Sequence, residues 1–177
     1  MNASLDFFRN LGAIDFAGYP FDVFLYGVVR QLGESQPSVK HAALAFTAKC
    51  NSRAESSSTH FGDKPSEKQA NDFALRQTSK SIPRLLQEQP TTLVAGRRAQ
   101  REVVMAVCGI LALLASIVGD LETSKMHLAC GQRAMQEWRQ QHANFDGSSI
   151  APTLSAVLSA ANCKVQSFEP DLVPARR

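Results

Sequence analysis

The chain has 177 residues, of which 44% are hydrophobic and 20% are charged. This length and composition fit a single globular domain with a core of ordinary size. Because the chain has 19 Lys and Arg residues and 16 Asp and Glu residues, the net charge is only +3. That balance argues against the dense basic stripe of a DNA-binding domain.

The first segment, residues 5–32, is rich in aromatic side chains. After a turn at residues 18–20, apolar side chains recur at helical spacing and predict an amphipathic helix packed on the core. Residues 33–37 then break this helix. Ser35 is placed to cap a second helix, and Pro37 fits its first turn, where no amide donor is missed. The buried face of the second helix is predicted to carry Val39, Ala42, Ala43, Phe46 and Cys50.

A polar, serine-rich stretch follows at residues 51–67 and is predicted to be a mobile loop. The helical pattern resumes at Lys68 and includes Pro83. An interior proline removes a hydrogen-bond donor and clashes with the preceding turn. We therefore expect this helix to be kinked at Pro83 or to end near Ile82.

The strongest structural signal is a helical hairpin at residues 101–138, preceded by a basic and flexible stretch around Gly96. Residues 103–118 contain no charge over 16 positions, which falls short of the ~20 apolar residues of a membrane span. This stretch is typical of a buried core helix. Gly119 is expected to end it in a left-handed conformation, and Asp120 to cap the next helix.

A last helix is predicted at residues 150–165, and residues 169–177 are expected to fray. No useful β alternation occurs. The predicted fold is all-α, an irregular antiparallel bundle or stacked helix pairs with about five to seven helices around a central apolar helix at residues 101–118. The domain should span residues 1–168.

No residue pattern of known catalysis is present, neither a nucleophile elbow nor a phosphate-binding glycine loop, so no catalytic or cofactor-binding residue is assigned. His127 and Cys130 stand three apart on one helix and are the candidates for metal ligands, but zinc needs two more ligands at defined positions. We expect no metal. Arg97, Arg98 and Arg101 are the candidates for nucleic-acid contact, although such charges more often solvate a loop and a helix start.

The four cysteines are scattered, without a C-x-x-C pair, and no secretory signal precedes them. We therefore expect a reduced intracellular protein, nuclear or cytoplasmic, with no membrane association.

Residues 35–45 read SQPSVKHAALA, a polar start with a proline that runs into a Val-Lys-His-Ala helix. Upstream, residues 21–25 read FDVFL, and residues 73–82 read FALRQTSKSI. The pair Gly119-Asp120 is followed by His127-Leu128 and Gly131. In their shared order, these segments resemble the regulatory domain of fungal zinc-cluster (Zn2Cys6) transcription factors, with its polar-Pro start, its Val-Arg-His-Ala helix and its turn before an Ala-x-x-His-Leu-x-x-Gly helix. Leu25 stands where Trp is usual in that family, Thr78 replaces Tyr, and Ser81 replaces Ala.

This resemblance implies a non-enzymatic regulatory module in transcriptional control, such as that of a metabolic gene cluster. It would act through protein contacts or small-ligand sensing, with a zinc-cluster factor or a second copy as partner. The family's six clustered cysteines are missing, so we expect no direct DNA binding. Two other interpretations stay open. One is a helical scaffold unrelated to transcription, and the other is an enzyme of unrecognised class.

Overall fold

A computed structural model of the chain describes residues 23–56, 67–87, 94–141 and 150–167. These residues are almost entirely helical and contain no strand, which confirms the all-α prediction. A π-helical segment, Val23–Val29, leads into the α-helices. In chain order these are α1 (Arg30–Ser35), α2 (Pro37–Ser56), α3 (Glu67–Gln87), α4 (Val94–Val118), α5 (Leu121–Gln141) and α6 (Ala151–Ser167).

Helix α4 is the centre of the fold, as predicted. It contacts α2, α3, α5 and α6, and its most buried side chains are excluded from solvent along several turns (Val103, Met105, Ala106, Val107, Ile110, Ala112, Leu113). Large side chains from the other elements close over it (Phe24, Phe46, Leu128, Trp138, Leu154). At about 25 cal/mol per Å² of apolar surface, burial on this scale is the main favourable term in folding.

By length and composition, residues 99–118 form one stretch that is apolar enough to cross a membrane. The helix is longer than the uncharged run in the sequence suggested, because it begins at Val94. Within the protein, 67% of its most apolar stretch is buried against other helices. A core helix of this kind satisfies the same length criterion as a membrane span.

The turn between α4 and α5 is built by two residues. Gly119 has φ +81°, a left-handed conformation that a Cβ would disfavour. Its amide donates to Ser116 O at 3.2 Å, and the Asp120 amide donates to Ala115 O at 2.9 Å. This is the Schellman pattern of a helix end. Asp120 then caps α5 by accepting the Thr123 amide at its Oδ1, at 3.0 Å, so both predicted roles are confirmed.

Polar contacts fix the register of this hairpin. Near the turn, the hydroxyls of Ser116 and Ser124 lie 2.9 Å apart, and both reach the carbonyl of Ala112. At the other end, Arg101 Nε lies 3.6 Å from Glu137 Oε2. Because Ser124 is fully buried, its hydroxyl needs such partners, and α4 and α5 are held antiparallel at a defined offset.

Helix α3 packs mainly on α2 and barely touches α4. Its buried stripe consists of small and polar side chains (Ala70, Ala74, Gln77, Ser81). Ser81 Oγ donates to Ser38 O at 2.8 Å, and Gln77 Oε1 lies 2.7 Å from His41 Nδ1. Most large apolar residues of α3 are exposed instead, and only Leu85 is partly buried against the core, so the apolar pattern predicted a helix here without marking its buried face.

Several sequence-based boundaries are wrong. The predicted loop at residues 51–67 starts too early, because α2 continues to Ser56 with Ser52 buried, and α3 begins at Glu67. The stretch around Gly96 is the first part of α4 and not a flexible connection. Of the two alternatives predicted at Pro83, the helix end near Ile82 is wrong, because α3 continues through Pro83 to Gln87. Pro83 and Ser79 are both exposed, so the Ser79 carbonyl that loses its helical donor can be hydrated.

Ser35 does not cap α2. It is the last residue of α1, and its hydroxyl donates to Leu32 O at 3.3 Å, while extended Gln36 precedes Pro37. Residues 1–22, 57–66 and 168–177 lie outside the described residues. The predicted turn at residues 18–20, most of the predicted loop and the predicted frayed tail therefore stay predictions.

Candidate binding groove

The incomplete contact between α3 and α4 leaves an open groove with a volume of about 560 Å³. Its floor is the last third of α4 (Leu111, Leu114, Ala115, Ile117), and Val118 lies at its rim. The walls are the first half of α3 and the start of α5, with Lys49 of α2 and Glu67 of α3 among the lining residues. We call this feature the α3–α4 groove.

The groove exists because of how α3 is attached. Polar bonds from α3 reach α2, where Ser81 and Gln77 find partners, and the carboxamide of Asn71 accepts a hydrogen bond from Lys49 Nζ. These bonds hold α3 at the outer edge of α2. Two of the α3 residues that line the groove, Ala74 and Thr78, are small, so they leave space above the floor.

Two apolar side chains at the rim of the groove are solvent-exposed. Leu75 of α3 is 66% exposed and Val118 of α4 is 51% exposed, and both belong to the lining. Ile82 and Leu86 extend the exposed apolar side of α3 beyond Leu75. Single exposed leucines are common, but exposed apolar side chains that border a groove are typical of an interaction site.

Ionisable side chains also line the groove. Burial lowers the pKa of His127, and the nearby Asp120 carboxylate opposes this effect only in part. The imidazole is therefore neutral at physiological pH and can both donate and accept a hydrogen bond. The hydroxyl and amide of Thr123 hold the pKa of Asp120 below its ordinary value, which keeps the cap charged. Neutral His127 and charged Asp120 thus lie near each other in the lining of the groove.

The two candidate metal ligands have different surroundings. His127 lines the α3–α4 groove, while the exposed Cys130 contacts the buried Cys108 on α4. Within the part of the chain that the structure describes, no three His, Cys, Asp or Glu side chains are grouped so as to hold a metal ion. His41 lies 2.7 Å from Gln77 Oε1 through its Nδ1 and does not line the groove.

Of the three candidate nucleic-acid residues, Arg101 is half-buried and pairs with Glu137 across the hairpin. Arg97 and Arg98 belong to the first turns of α4. The sequence pattern did not reveal the groove, because its walls come from segments far apart in the chain. Small and polar residues recur in α3 at the spacing of one helix face, but this pattern alone does not indicate that the face is the buried one.

Comparisons of the chain with known protein families, with curated proteins and with solved structures give no match.

Proposed function

We propose that the protein is a non-enzymatic regulatory module that acts in transcriptional control by binding a partner protein at the α3–α4 groove. The observation that carries this proposal is the groove itself, with its apolar floor and its exposed rim of Leu75 and Val118. Its link to transcription rests on the resemblance of residues 35–45 and of the hairpin to fungal zinc-cluster regulators. The module has a nuclear or cytoplasmic location and makes no direct contact with DNA.

The shape of the groove supports contact with a protein. When a partner covers an apolar side chain that is exposed at the rim, the free energy of the complex falls by about 25 cal/mol per Å² of apolar surface buried. The partner's contact surface is apolar at its centre, since the floor of the groove offers leucine and isoleucine side chains. Small-ligand sensing in the same groove is the second candidate, because a volume of about 560 Å³ lies within the usual range of ligand pockets.

The experiment is an affinity purification of cross-linked complexes from the native cell, with the parent chain and two variants. Leu75→Glu places a charge at the rim of the groove. Lys80→Glu is the matched control, because Lys80 is exposed on the same helix and does not line the groove. Both variants should fold, since neither residue is buried. We expect transcription regulators to be recovered with the parent chain and with Lys80→Glu, and to fall at least fivefold with Leu75→Glu.

Two results would contradict the proposal. If only metabolic enzymes are recovered, the proposed role in transcriptional control is wrong. If the same regulators are recovered equally with Leu75→Glu and Lys80→Glu, the groove is not the binding surface.

A further inference from the structure

Two cysteines face each other across the α4–α5 hairpin. Ser116 lies opposite Ser124, and Arg101 lies opposite Glu137. Between these pairs, seven residues from Arg101 and seven from Glu137, stand Cys108 and Cys130, which this register makes neighbours across the hairpin. Neither cysteine is part of the groove.

The helices approach closely at this level because α5 carries a glycine beside Cys130. A Cβ built on Gly131 would lie only 3.2 Å from Cys108 Cβ. A disulfide needs Cβ atoms about 3.5–4.5 Å apart, so it requires helix backbones that come near each other. Gly131 provides such an approach at the position of the cysteine pair.

The two thiols differ in access to solvent. Cys130 is exposed, whereas Cys108 is 4% exposed and belongs to α4. Burial raises the pKa of the Cys108 thiol, and contact with Cys130 raises it further. A small oxidant therefore meets Cys130 first, while Cys108 stays protonated beside it.

We propose that Cys130 is a peroxide-modification site and that Cys108 is its resolving partner, so that oxidation closes a Cys108–Cys130 disulfide across the hairpin. The inference is independent of the groove and of the regulatory role. Its oxidant is hydrogen peroxide or an alkyl hydroperoxide, which a reduced intracellular compartment holds only transiently.

The chemistry proceeds in two balanced steps. The Cys130 thiol gives up its proton, and its sulfur attacks the peroxide. The O–O bond breaks, and Cys130 sulfenic acid and one water (or alcohol) form. The Cys108 sulfur then attacks the sulfenic sulfur, the S–O bond breaks, and the oxygen leaves as water with the Cys108 proton. Two thiols lose two electrons, which reduce one peroxide.

The test uses the full chain treated with hydrogen peroxide in the presence of dimedone, which traps sulfenic acids, followed by tryptic digestion without reductant. Trypsin places Cys108 in residues 102–125 and Cys130 in residues 126–133, so a disulfide joins two separate peptides. Exposed Cys163, on α6, is the internal control, because it has no thiol partner that the structure shows. Cys108→Ser and Cys130→Ser are compared with the parent.

We expect the joined peptides 102–125 and 126–133 in the parent and in neither variant. The dimedone adduct at Cys130 should rise at least fivefold in Cys108→Ser, while the adduct at Cys163 stays constant. Cys108→Ala serves in the same way if Cys108→Ser melts early. The proposal is overturned if the parent shows no joined peptides, or if Cys130 is trapped to the same extent with and without Cys108.

Discussion

At the scale of single residues, one tight contact between helices depends on a residue without a side chain. Gly131 lies between Cys108 of α4 and Leu158 of α6, and a Cβ there would lie 2.9 Å from Leu158 Cδ2. Leu158 is buried, and Cys108 Cβ is fixed to the backbone of α4. Gly109 is also inside a helix, but its nearest side-chain neighbour would be Phe24 Cζ at 3.5 Å, an ordinary contact.

The two glycines should therefore respond in opposite directions to the same substitution. Gly131→Ala should lower the free energy of unfolding by about 1–2 kcal/mol, because overpacking outweighs the gain in helix propensity. Gly109→Ala should raise it by up to ~1 kcal/mol, since the propensity gain meets no clash. Urea denaturation of both variants measures the difference. If Gly131→Ala were as stable as Gly109→Ala, the close approach of α4, α5 and α6 would be wrong.

At the scale of elements, the turn of the hairpin was the most predictable feature, because every signal for it is local. Gly119 and Asp120 adjoin the helices that they end and begin, and the sequence alone identified both roles. Nothing lies within 4 Å of a Cβ built on Gly119, so the demand for glycine comes only from its φ of +81°. A substitution at Gly119 therefore tests the cost of backbone strain without any change in packing.

Substitutions at Gly119 should rank by their tolerance of the left-handed region. Gly119→Ala should lower the free energy of unfolding by about 1–2 kcal/mol, and Gly119→Asn by less, because asparagine adopts this conformation more readily. Thermal melting of the two variants and the parent provides the measurement. Equal melting temperatures for Ala and Asn would show that the left-handed turn does not limit stability.

The attachment of α3 was not predictable from its own pattern. The side of α3 that is buried is the one that hydrogen-bonds to Ser38 and His41 of α2. These two residues lie 43 and 36 residues away in sequence from their partners Ser81 and Gln77. A local reading takes Leu75 and Ile82 as core, whereas long-range hydrogen bonds bury small and polar residues instead. The groove follows from this choice, so it could not be found before the helices were assembled.

At the scale of the whole molecule, one helix accounts for most of the architecture. The uncharged run at residues 103–118 identified α4 as the centre, because no other segment is apolar on all sides and such a helix must be surrounded. The structure places α2, α3, α5 and α6 around it. Its boundary at Val94 was missed, since the basic residues of the first turns resemble a loop in composition.

The most direct test of the central position of α4 is the replacement of a residue at the middle of this helix. Ala112 is 0% exposed, and its carbonyl accepts the hydroxyls of Ser116 and Ser124. Ala112→Asp buries a charge without a partner, at a cost comparable to the ~5–15 kcal/mol by which small domains are stable. Ala99→Asp is the control, because Ala99 is exposed on the same helix and should change stability by less than ~0.5 kcal/mol.

Thermal unfolding followed by circular dichroism compares the three chains. We expect no cooperative transition for Ala112→Asp, and a melting temperature for Ala99→Asp within about two degrees of the parent. An Ala112→Asp chain that melts like the parent would contradict the central place of α4 in the fold.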